Sequence, residues 1–207
     1  MQDNTIQKRT NPVFRPYNTP HDTVPFERIR LEDYEPAFME GIRRDDEATD
    51  KIVNDPAEPT FENTIARVDT DKGEHYYDLL SRVSNVFSCM MSAETCDEME
   101  EIAQKMSPIL TKHANDITLN KKLFERIKYV YDNEYKKLKG EDKRLTEVIY
   151  KSFVRSGALL SAEKMERMKQ INSRISELQQ EWGNLLPAAT NNAVVWVNNK
   201  EELAGLS

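Results

Sequence analysis

Between positions 161 and 186 the chain sets Met168, Ile171, Ile175, Leu178, Trp182 and Leu185 at alternating steps of three and four. That rhythm matches the turn of an α-helix and lines six apolar side chains along one stripe. Ser161 is placed to cap the helix, and Glu163 in the first turn complements the positive end of its dipole. At 1.5 Å per residue the stripe is roughly 25 Å long, about the width of a small domain. A helix with one apolar stripe must bury it against another element. The spacing therefore predicts a central helix on which other helices lean.

The rest of the composition agrees. A chain of 207 residues makes one large domain or two small ones and buries a core without cross-links. Only 6 residues are glycine, while 38% are hydrophobic and 31% charged, which suits helices with one wet face and not a turn-rich β architecture. The net charge of −7 is spread along the chain, so nucleic acid is not an expected partner. No apolar run reaches transmembrane length, so no membrane partner is expected either. Cys89 and Cys96 match neither a C-x-x-C pair nor a disulfide framework and are expected as free thiols.

Read in order, the first ten residues are polar and predict a disordered tail. They lack the apolar run of a signal peptide. A chain that begins after a removed signal would look the same, so the cytoplasm and the periplasm both stay open. Residues 11–30 carry Pro12, Pro16, Pro20 and Pro25, which predicts an extended arm, with Val13, Phe14, Tyr17 and Phe26 available to pin it.

A helical domain is expected over 31–190. Its first helix should open near Asp33 with Pro36 in the first turn. Thr60 should cap a second, running to about Ser92 with a soft point at Gly73. Thr95 with Glu98 spells a capping box for a third, kinked at Pro108. Asn120 should cap a fourth that reaches Leu138 and stops at Gly140, and a fifth should span 142–156 with Gly157 just past its end. The stripe helix is the sixth, ended or bent at Pro187. Val194–Val197 reads as one strand without a partner, which predicts that 191–207 begins a connection to a further domain. The fold class is all-α: a bundle of about six helices with an extended Pro-rich arm and one short C-terminal strand.

No catalytic constellation follows from residue chemistry. The three histidines, His21, His75 and His113, lie too far apart for H-E-x-x-H or for repeated Glu-x-x-His. Asp71, His75 and Asp78 share a helical face and could ligate a metal, although two acids and a histidine are also ordinary surface composition. Neither cysteine has a histidine at motif-like spacing, and neither a nucleophile elbow nor a phosphate loop is present. The run from Lys121 to Arg144 holds nine basic and five acidic residues, a basic patch or simply a solvated face. Tyr76, Tyr77, Phe87, Tyr129 and Tyr131 either line a peptide groove or pack in a core. The stripe itself covers under three heptads, too few to require a coiled-coil partner, and internal packing is the simpler reading. No catalytic, cofactor-binding or metal-ligating residue is assigned.

Seven strings nevertheless stand in a telling order: NPVF at 11–14, YEPAFMEGI at 34–42, PTFENTI at 59–65, RVSNVF at 82–87, NDITLNKKLFERI at 115–127, RLTEVIYKSFVRSGALL at 144–160 and ELAGLS at 202–207. Together they resemble the N-terminal region of the thimet-oligopeptidase family of zinc metallopeptidases, and within it the peptidyl-dipeptidase members, which remove C-terminal dipeptides from short peptides. The resemblance implies a mostly helical fold whose two halves flank a deep channel. It also implies a zinc ion held by H-E-x-x-H and a later glutamate, in a part of family chains that this sequence does not include. On that reading the chain is one wall of the channel and inactive alone. Zinc is expected in the full-length parent and not in this chain. The partners are the missing C-terminal catalytic domain and, in the parent, short peptides. The tail departs from the family pattern at Pro187 and around Trp196. A free-standing helical binding module and a family member that has lost its metal are the alternatives.

Overall fold

Twenty-three residues, Leu31–Val53, form α1. Asp33 starts it by reaching back, its carboxylate accepting the Arg30 backbone N–H at 2.8 Å. The helix opens two residues earlier than the sequence suggests, so Pro36 falls in the second turn and is carried inside the helix. The computed structural model describes residues 9–69, 79–194 and 196–205, with the side chains of 184, 187, 188 and 202 left aside. Residues 1–8, most of the expected tail, lie outside the described residues, as do Gly73 and the middle of the expected second helix.

Thr60 caps its helix as expected: its hydroxyl accepts the Asn63 N–H at 3.2 Å while the Asn63 side chain accepts the Thr60 N–H at 2.8 Å. The first turn is a π turn, Phe61–Ile65, that runs into α2 (Ala66–Asp69); α3 spans Leu79–Ala93. The next helix, α4 (Asp97–Thr118), is capped at Cys96, so the box expected from Thr95 and Glu98 does not form. The Thr95 hydroxyl faces Met91 Sδ at 3.5 Å instead. α4 also runs through Pro108 for ten more residues, because the proline costs one backbone bond and packing on both sides retains the rest.

Asn120 caps α5 (Lys121–Asn133), accepting from the Leu123 N–H at 3.1 Å. α5 stops five residues before Leu138, and Gly140, expected to end it, begins α6 (Gly140–Arg155) at φ 53°. At the other end of α6 the reading holds. Gly157 takes φ 104°, its N–H bonds the Val154 carbonyl at 3.1 Å, and Ala158 N–H bonds the Phe153 carbonyl at 3.0 Å. These are the two bonds of a Schellman stop. α7 (Ala162–Asn192) starts at Ser161 as expected but continues past position 187 to Asn192. Of the expected strand, Val194, Trp196 and Val197 are not in a strand and Val195 lies outside the described residues; the described residues contain no strand, and a short 3-10 turn, Lys200–Leu203, follows. The all-α class therefore stands without its expected strand.

Two apolar clusters hold the bundle, and α1 reaches both. Its first half sends Tyr34, Ala37 and Phe38 into a core with Val83, Phe87, Met99 and Met106 of α3 and α4. Its end sends Ile52 into a second core with Phe61, Ile65, Leu123, Ile127, Val130 and Phe153. Phe87 meets Tyr34 and Phe38 edge-on, with ring centres 5.0 and 5.5 Å away. Gly41 lets α3 approach closely: a Cβ there would lie 2.9 Å from the Leu80 backbone. In the second core Phe124 stacks on Tyr150 and Phe153, and Tyr131 on Tyr150 at 4.0 Å.

The Pro-rich arm lies along the first core. It is extended backbone broken by 3-10 turns at Pro12–Phe14, Pro20–Asp22 and Phe26–Arg28. Val13 is fully buried and is the pin; Phe26, another expected pin, is half exposed. Arg82 of α3 donates to the carbonyls of Val13 and Arg15, and its guanidinium lies over the Tyr17 ring. Arg9 forks onto the buried Asp33 carboxylate with bonds of 2.8 and 2.6 Å.

The stripe helix corrects the opening expectation. α7 packs on α4, but not through the stripe. Ile171, Ile175, Leu178, Trp182 and Leu185 are 40, 47, 45, 68 and 64% exposed. The packed face carries Met165, Asn172 and Ser176. It lies about 120° round the helix from the stripe at 100° per residue. Ser176 shares its hydroxyl with Ser107 and Thr111 of α4, both at 2.8 Å, and Asn172 donates to Asn115 at 2.6 Å. Hydrogen bonds between small and amide side chains chose that face. Periodicity shows which side chains lie together and not what they meet.

Candidate functional site

The first turns of α1 and α4 converge on a cleft of about 590 Å³. Both N-termini are acidic by sequence, as helix dipoles favour. Glu32 and Glu35 of α1 therefore face Glu98 and Glu101 of α4, over an apolar floor of Leu31, Pro36 and Ile102. Lys105 Nζ lies 2.6 Å from Glu35 Oε1, and Arg9 and Arg30 each lie 3.5 Å from Glu32 Oε1. Hydrogen bonds at the helix start, from the Glu98 backbone and then from Cys96, hold the Glu98 carboxyl below its ordinary range. Glu32 and Glu35 of the lining are thus paired with basic side chains.

His113 of α4 is the one expected histidine that the fold buries among the described residues. Its Nε2 lies 3.4 Å from Asp45 Oδ2 and its Nδ1 3.0 Å from Asp46 Oδ1, so the ring ties α4 to the middle of α1. This is a structural clamp, and nothing in its position in the sequence signalled it. His21 sits exposed in the arm at φ 58°. Asp71, His75 and Asp78, the metal candidate weighed from spacing, lie outside the described residues, as do Tyr76 and Tyr77.

The other candidates resolve into packing. Phe87 is in the first core, Tyr131 stacks against α6, and Tyr129 donates to Glu58. These three line no common groove. Within the basic run, Lys128 pairs with Asp132, Arg144 pairs with Glu147 at 3.0 Å, and Arg126 donates to the carbonyls of Asp55 and Ala57. Cys89 and Cys96 are free thiols. Among the described residues no three His, Cys, Asp or Glu side chains are placed to hold a metal ion, so these residues do not fit a zinc site. No described helix is long and apolar enough to cross a membrane. What sequence reasoning missed is the exposed face of α7 and the cleft, both made by helix-to-helix placement.

No family model matches the chain. It is 36% identical over 199 residues to a dipeptidyl carboxypeptidase of Salmonella typhimurium, covering 96% of this chain and 28% of that protein. The corresponding dipeptidyl carboxypeptidase of Escherichia coli is 36% identical over 193 residues, and oligopeptidase A of the same organism 27% over 201. The chain spans 27% and 28% of those two proteins. Through these dipeptidyl carboxypeptidases and oligopeptidases the chain is related, over nearly all of its own length, to part of the thimet-oligopeptidase family of peptidases.

Proposed function

We propose that these residues form the non-catalytic N-terminal helical portion of a zinc peptidyl-dipeptidase and build one wall of its substrate channel. The observation that carries this is 36% identity along 96% of the chain to a protein of which that stretch is 28%. In this proposal residues 31–190 are the helical domain, 11–30 the arm strapped to it, and 191–207 the start of the link to the catalytic part. A wall of rigid helices suits a channel that admits short unfolded peptides and excludes folded ones. Metal and base belong to the remainder of the longer protein. When bound there, zinc polarises a scissile carbonyl and activates water.

The test uses a blocked tetrapeptide with added zinc. The 207-residue chain is expected to give no hydrolysis, and the product of the longer gene to release a C-terminal dipeptide in a reaction that a chelator stops. Chelator-sensitive turnover by the 207-residue chain alone overturns the proposal.

A further inference from the structure

Among the described residues, neither apolar cluster contains a member of α7. The one described α7 side chain that is fully buried is Met165, near the helix start. From there the contact with α4 is a polar row. Lys169 Nζ lies 3.6 Å from Asp116 Oδ1, Asn172 donates to Asn115 at 2.6 Å, and the Ser176 hydroxyl meets those of Ser107 and Thr111, both at 2.8 Å. Beyond Ser176 every described α7 side chain except Gln180 is exposed. We propose that this seam is a latch: α7 lifts off α4 as one unit, pivoting on the loop between α6 and α7, while both cores stay folded.

Two features make the seam separable. The first is its chemistry. When hydroxyls and amides part, water takes over their hydrogen bonds, so each bond adds little net hold. Water offers no such replacement to the apolar contacts of the cores. The one charge pair across the seam also opens cheaply, because Asp116 keeps Lys112 of its own helix when Lys169 leaves. The second feature is the joint. Ala158 is buried in the second core, whereas Leu159 is 61% exposed and Ser161 is exposed. Each helix also carries its own terminus. Gly157 at φ 104° closes α6, and the Ser161 hydroxyl accepts the Lys164 N–H at 3.4 Å to start α7. Both ends therefore stay intact while the short exposed segment between them absorbs the motion, as hinges at element ends do.

Native-state hydrogen exchange of the 207-residue chain, read by peptide mass, tests the latch. Packing supplies most of a helix's stability, so the amides of an opened α7 exchange. Peptides over 165–182 are expected to exchange at least ~10-fold faster than those of α1 and α5, as a sub-global opening requires. Ser176→Ala removes one shared hydroxyl and is expected to speed the α7 peptides about 5-fold further, leaving α1 and α5 unchanged. Leu123→Ala, or the milder Val83→Ala, weakens a core that α7 does not enter. Either is expected to speed α1 and α5 and to leave the α7 rates where they were. An α7 protected as well as α1, and accelerated together with it by Leu123→Ala, overturns the proposal, since the helix then opens only when the whole bundle does. Unchanged α7 rates in Ser176→Ala overturn it too, because the polar seam is then not the hold. A rate that falls smoothly from Asn192 back to Ser161 shows fraying from one end and equally overturns opening as a unit.

Discussion

Asp33 shows how much one side chain can organise. It is 4% exposed, caps α1 through the Arg30 N–H, and holds Arg9 of the arm in a two-pronged pair. Removing one partner leaves the other charge without its answer, but Arg9 is one-third exposed and water answers part of it. Asp33→Ala is therefore expected to cost about 1–3 kcal/mol, below the figure for a fully buried pair. Urea unfolding measures it, and a loss under 0.5 kcal/mol (roughly what a surface substitution costs) would show that Val13 and the Arg82 bonds hold the arm without Asp33. Gly41 is the opposite case, a residue that matters by having no side chain. Gly41→Ala drives a methyl into the Leu80 backbone at 2.9 Å, which rigid backbone cannot absorb. It is expected to lose about 1–3 kcal/mol despite alanine's better helix propensity. A gain in stability would mean α1 and α3 slide apart freely.

At the scale of elements, the exposed side of α1 carries a short charge network. Arg43 and Arg44 bond the Glu40 carboxylate at 2.7 and 2.8 Å and hold it down to about 2. A carboxylate whose folded pKa is depressed stabilises the fold above its unfolded pKa, and that contribution disappears as pH falls through the folded value. The window here runs from the ordinary glutamate range down to about 2. Glu40 is partly exposed, so the effect is that of a surface network, about 0.5 kcal/mol. Thermal melts of E40Q are expected to trail the wild type slightly above pH 5 and to converge with it near pH 2; a constant gap across that range contradicts the assignment. The α4–α7 seam offers a sharper test, since Ser176 satisfies two hydroxyls of α4 at once. Ser176→Ala is expected to cost about 1 kcal/mol, and Ser176→Leu more, by forcing the helices apart.

For the whole molecule, the two cores are joined through α1, with Phe38 in one and Ile52 in the other. Leu123→Ala in the second core is expected to lower stability by about 2–5 kcal/mol and Val83→Ala in the first by somewhat less. Because one continuous helix serves both, each variant should still unfold in a single transition by far-UV circular dichroism. Two separated steps would show that α1 does not couple the halves.

What the sequence determined by itself was local: Thr60, Asn120, Ser161 and Gly157 mark helix ends because a hydroxyl, an amide or a missing Cβ acts on backbone a few residues away. The all-α class followed from the same short-range periodicity. The resemblance, carried by seven short strings, was legible too, whereas no site was. The tertiary structure alone decided which side of α7 is buried, that Cys96 rather than Thr95 begins α4, and that acidic helix starts meet in a cleft. These depend on the placement of elements tens of residues apart. A hydrophobic stripe states a need for a partner, and only packing says whether that partner lies within the chain.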